Sequence, residues 1–184
     1  MLVVPWSAAP DEVPSHFIDL RDDPYALDQI SEAEQHPSLQ QALRALNAGR
    51  SPVFTAKCDV WAMSEDEVAG LAHNLDLAGP EHTAGFASYL DLVWRERSLF
   101  LSFHQHEQRL DRLARLLEAV DLPLAGVESV IRPALVDLTG PQEGFCVTLY
   151  VKALGTNSAG AYATWATALD AVVAILRSKE FTFA

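Results

Sequence analysis

From Val53 onward the side chains of this chain change polarity at every second residue, and the same period returns in later segments separated by helical ones. Successive Cβ atoms of a strand point to opposite faces, so this period belongs to sheets that are buried on one side. In 53–62, Phe54, Ala56, Cys58, Val60 and Ala62 fall on one side, with Thr55, Lys57, Asp59 and Trp61 on the other. In 144–154, Phe145, Val147, Leu149 and Val151 alternate with Cys146, Thr148, Tyr150 and Lys152.

Two further strands are expected at 85–95 and 97–103, as a hairpin or one bent ribbon. Phe86, Leu90, Leu92 and Trp94 share a face of the first, and Leu99, Leu101 and Phe103 share a face of the second. A strand at 126–138 pairs with 144–154 through the turn Thr139-Gly140-Pro141-Gln142, and Pro133 puts it at an edge or a bulge.

Helices fill the intervals. Ser64 and Glu67 form a capping box ahead of Val68, Leu71 and Leu75. Phe103, His106, Leu110, Leu113, Leu117 and Val120 recur at spacings of three and four until Pro123. Tyr162, Trp165, Leu169, Val172, Val173 and Leu176 mark a last helix, its many alanines fitting close approach to a sheet, and 181–183 is expected to dock as a short strand. Residues 155–160 lack the Lys and Ser/Thr of a phosphate loop, and Asn157 or Ser158 reads as a helix cap.

Before the sheet, Pro5, Pro10, Pro14 and Pro24 break regular structure and predict an irregular arm over 1–24. Pro24 and Pro37 open short helices that end near Gln35 and Gly49. The resulting expectation is an α+β two-layer sandwich: a mainly antiparallel sheet of about five strands, helices on one face, and a helical prefix over 1–51 packed on a domain spanning 52–184.

Composition narrows the function classes. Against 25 acidic side chains there are 13 basic ones, a formal net charge of −12. Phosphate backbones are held by clustered Lys and Arg, so nucleic acid is not the expected partner. No apolar run approaches the ~20 residues of a membrane helix, and the first 14 residues lack a basic leader, so a cytoplasmic location is expected. Two cysteines, Cys58 and Cys146, form no disulfide framework or metal box. His104 and His106 stand at a strand-to-helix junction, and two positions along a helix separate them by about 200°, so no metal pair and no cofactor are expected. His106 reads as a core histidine.

The mixed sheet face is the candidate site. It gathers Lys57, Asp59, Trp61, Tyr89, Asp91, Arg95, His104, Arg132, Tyr150 and Lys152. Aromatic rings among opposite charges are the composition of surfaces that bury area against a partner. The leading expectation is a non-catalytic binding protein that presents this face, with its acidic surface, to a basic protein. By analogy of class, an acidic inhibitor or immunity-type protein that neutralises a basic enzyme fits this description. The alternative is a small-molecule or hydrolase-like pocket on the same face, with Asp59 or Asp91 as general base, His104 or Tyr150 as its partner and Arg132 holding an anionic substrate.

Overall fold

The alternation carries through into four long antiparallel strands: β2 (Val53–Ala62), β3 (Ala84–Trp94), β4 (Ala125–Asp137) and β5 (Pro141–Gly155). Leu2–Val3, β1, pairs with β4 at Leu135 and Val136, giving the order β1-β4-β5-β3-β2. This computed structural model describes residues 2–3, 18–23, 26–77, 81–137 and 141–182. Pro133 lies in β4 opposite Phe145, on the stretch that precedes the pairing of Leu135 and Val136 with β1.

The helices are α1 (Ser31–Gln35), α2 (Pro37–Asn47), α3 (Glu65–Asn74), α4 (Arg97–Phe100), α5 (Phe103–Glu118), α6 (Ser158–Leu176) and α7 (Lys179–Thr182), with a 3-10 turn at Ala26–Gln29. Their starts follow the expected chemistry. Pro37 opens α2; Glu67 N–H donates to Ser64 Oγ at α3, and Gly160 N–H donates to Asn157 Oδ1 at 2.9 Å ahead of α6. The end of β5 runs so close to α6 that a Cβ on Gly155 would lie 2.2 Å from the Ala161 nitrogen. Only glycine fits there.

The long helices α2, α5 and α6 make one layer. Leu39, Leu43 and Leu46 of α2 and Trp165, Leu169, Val172 and Leu176 of α6 meet Leu90, Leu149, Val151 and Ala153 of the sheet in one core. Trp165 is fully buried and its indole N–H donates to Ser88 Oγ at 2.9 Å. Although α6 is long and apolar enough to cross a membrane by composition, it is apolar here because β3, β5 and α2 all pack on it. The helical prefix therefore thickens the helical layer.

His106 is buried in this layer, edge-on to Trp94 and Phe145, with Nδ1 2.9 Å from the Ser102 carbonyl. The carbonyl can only accept, so Nδ1 carries the proton. Burial holds the imidazole below its ordinary pKa, against the pull of the Ser102 and Phe145 backbone. A depressed folded value means that the unfolded chain binds the extra proton. The contribution of His106 is thus full above about pH 6.5 and is lost as pH falls from there through the depressed value. Urea midpoints measured between about pH 7 and pH 5 are expected to fall, and His106→Phe is expected to flatten that part of the profile.

Five expectations are corrected. Residues 97–103 form no strand: α4 takes Arg97–Phe100, and α5 starts at Phe103, leaving Leu101 and Phe103 exposed. The tail is helical over Lys179–Thr182, and Phe183 lies outside the described residues. The arm begins with a strand, Leu2–Val3, and 18–23 is a turn, the rest of that expectation falling outside the described residues; of the expected 139–142 turn, Thr139 and Gly140 fall outside them too, while Pro141 and Gln142 belong to β5, paired with Asp137 and Val136. Finally, Phe54 does not share a face with Cys58 and Val60. Thr55 pairs with Leu92 and Lys57 with Asp91, so Ala56 is an extra residue, a β-bulge that switches the parity of the strand.

Candidate functional site

The bulge decides what reaches the side of the sheet opposite the helical layer. Phe54 joins Val93, Phe100, Ala134 and Cys146 in a small apolar cluster on the face opposite the main core. Residues 18–23 close this corner. The Arg21 guanidinium lies 4.2 Å above the Phe54 ring, and its Nε donates to Asp19 Oδ1 at 2.7 Å, which holds the Asp19 carboxyl below its ordinary range. At the other corner α3 lays Val68 and Leu71 on Leu154, with Met63 packed beside them. A Cβ on Gly85 would stand 2.7 Å from Met63 Sδ and 2.9 Å from Val68 Cγ2, so a glycine permits this approach. Between the two covered corners runs the mixed face.

The strand register builds that face in rows. Lys57, Asp91, Thr148 and Val130 form one row, and Asp59, Tyr89, Tyr150 and Glu128 the next; Trp61 and Lys152 flank Ala87 in a third. Trp61, Tyr89 and Tyr150 make a half-buried aromatic stripe across β2, β3 and β5, with centroids 6.5 Å and 6.1 Å apart. The indole N–H of Trp61 donates to Glu67 Oε1 at 3.2 Å, while Glu67 Oε2 accepts the Ser64 backbone N–H at 2.8 Å. These bonds hold the Glu67 carboxyl ionised, the Ser64 backbone contributing most. Lys152 pairs with Glu128 at 2.9 Å and lies 5.7 Å from the Tyr150 ring centroid.

Beside the stripe runs a buried polar chain. Asp91 is 0% exposed and accepts the Thr148 hydroxyl at 2.7 Å. Thr148 accepts from Arg132 Nε at 3.0 Å, and Arg132 Nη2 donates to the Tyr150 hydroxyl at 3.4 Å. Lys57 faces Asp91 directly across β2 and β3. A carboxylate inside a sheet is retained only when hydrogen bonds and opposite charge attend it. Burial, reinforced by Asp91 and Asp59, pushes the Tyr89 hydroxyl up to about 12, so this ring stays neutral at any physiological pH.

Eight of the ten residues expected on this side gather in the mixed face. Arg95 stands apart at the Phe54 corner of the same side: its guanidinium carbon is 5.9 Å from the Phe54 ring centroid, its Nη2 donates to the Asn47 carbonyl at 2.8 Å and its Nε to the Val53 carbonyl at 3.3 Å, tying the end of β3 to the last turn of α2. His104 is not on this side. It sits exposed on α5, in the helical layer, 3.5 Å from Glu107. The hydrolase-like arrangement therefore loses its histidine, and its Asp91 is sealed from solvent.

Three members went unrecognised in the sequence. Thr148 alternates with Tyr150 and was visible in the pattern, and Glu128 shares the parity of Arg132. Glu67 reaches the site from a capping box, where a local role already accounted for it.

Cys146 is fully buried and Cys58 lies on the core side; burial, the largest cause for each, pushes both thiols up to about 12. A thiol so far above neutral pH supplies almost no thiolate. Neither is expected to react with a disulfide reagent in the native protein within minutes at pH 8, whereas two thiols per chain are expected to react in denaturant. Among the described residues, no group of three or more His, Cys, Asp and Glu side chains is placed to hold a metal ion.

The fold and this face define a class: an α+β sandwich with one sheet side under helices and the other carrying an aromatic stripe framed by paired charges. Comparison with protein-family models, with curated proteins and with solved structures finds no match for this chain.

Proposed function

We propose that the protein binds another protein through the sheet face opposite the helical layer and performs no chemistry there. The supporting observation is the half-buried stripe of Trp61, Tyr89 and Tyr150 spanning three strands of a rigid sheet. Tryptophan and tyrosine supply much of the binding energy at protein interfaces, because large rings give up water at little entropic cost. The rings are already held by the ladder and by the Trp61–Glu67 bond, so little ordering remains for the moment of association. The partner is basic, in keeping with the net charge of −12, which accelerates encounter with a cationic surface. An inhibitor that occludes a basic enzyme is the class of protein such a surface serves.

Capture from the cytosol of the cell that makes the protein tests this reading. Immobilised wild type is expected to retain a basic protein in near-stoichiometric amount, and the Trp61→Ala/Tyr150→Ala variant to retain at least tenfold less. Equal retention of the same proteins by both would defeat the proposal.

A further inference from the structure

We infer that the group this face takes from its partner is an arginine side chain, seated on the rings of Trp61 and Tyr89 with Asp59 as its counter-ion; the inference rests on the face being a protein-docking surface. The cations already on the face have acids beside them. Lys152 is paired with Glu128 at 2.9 Å, Arg132 is joined to Asp91 through Thr148, and Lys57 stands across the strands from Asp91. Asp59 differs. It is exposed, its Oδ1 accepts the Val60 N–H at 2.7 Å, and it has no ion pair among the described residues.

Its position matters as much as its charge. Asp59 shares the face of Trp61 two residues along β2 and lies directly opposite Tyr89 on β3. The polar edge of the indole is taken by Glu67, so what Trp61 has left to offer is its ring face. An aromatic surface next to an unneutralised carboxylate is a receptor for a cation. Of the two cationic side chains, the guanidinium suits it better. It is planar, sheds water more readily than an ammonium, stacks on indole, and can reach a carboxylate with two N–H groups at once.

The test uses the full chain, labelled with 15N-tryptophan, and acetylated tetra-arginine and tetra-lysine amides as probes. Trp61→Phe assigns the Trp61 indole N–H signal. Tetra-arginine is expected to move that signal and to bind at least fivefold more tightly than tetra-lysine. Asp59→Asn, at an exposed position and checked for folding by circular dichroism, is expected to weaken tetra-arginine at least fivefold. Equal binding of the two peptides, or no effect of Asp59→Asn, would overturn the arginine assignment. Competition separates this inference from the one beneath it. If wild type still captures a protein that the Trp61→Ala/Tyr150→Ala variant does not, yet tetra-arginine fails to displace it, the docking face stands and the arginine falls. If capture does not depend on the face at all, both fall.

Discussion

Replacing Trp165 with alanine is expected to remove about 3–5 kcal/mol of stability, the largest loss from any single truncation in the helical layer. Trp165 is 0% exposed and packs against Phe86, Tyr162 and His36, with ring centroids 4.9, 5.2 and 6.4 Å away. These residues come from α6, β3 and the start of α2, so the ring joins the helical prefix and the last helix to the sheet. Its loss leaves a cavity among elements that cannot all move inward together, and it strands the buried Ser88 hydroxyl. Trp165→Phe keeps most of the volume and is expected to cost about 1 kcal/mol more than the change in ring size alone, for the lost hydrogen bond. The check is the urea midpoint at constant m-value. A Trp165→Ala variant within about 1 kcal/mol of wild type would mean that α6 is not packed as described.

The second large effect belongs to Asp91. Asp91→Ala is expected to destabilise by about 3 kcal/mol or more, because it removes the acceptor of the Thr148 hydroxyl and the negative charge that faces Lys57 and attends Arg132. Asp91→Asn retains an acceptor oxygen and the shape, and is expected to lose less, about 1–2 kcal/mol. The difference between the two variants separates a polar chain held by charge from one held by shape. Neither substitution alters the rings of the stripe. Asp91→Asn, if folded, is therefore expected to retain partner binding that Trp61→Ala loses. An Asp91→Asn protein that folded normally but failed to bind would place Asp91 in the docking surface itself.

Period two was readable wherever a strand has one wet and one dry side, which is why β3 and β5 carry the expected residues on the expected faces. The bulge was not readable. Phe54-Thr55-Ala56-Lys57-Cys58 keeps its apolar and polar alternation unbroken, and what moves Phe54 to the far face is the pairing of Thr55 with Leu92 and Lys57 with Asp91, a relation between strands. The error at 97–103 has a similar origin. Leu99, Leu101 and Phe103 alternate like a strand, but Leu99 and Phe100 are buried together, which a turn of helix allows and a strand with one dry side does not.

The same alternation bears on His104. Carried on an extended strand it would have stood at the sheet, whereas on α5 it projects to solvent. Arg95 shows the converse. Its residue type fits a charged face, but at the last turn of β3 the nearest uncompensated groups are the carbonyls at the end of α2. The eight residues that gather in the mixed face are all paired in strand ladders, where register leaves a side chain no choice of face.

Photo-crosslinking inside the cell that makes the protein addresses the docking face most directly. With benzoylphenylalanine placed at Tyr89 on the sheet, and in a control at Asp170 on the solvent side of α6, one crosslinked protein of basic charge is expected from position 89 and none from 170. Crosslinks from 170 with none from 89 would show that association runs through the helical layer, and would contradict the account.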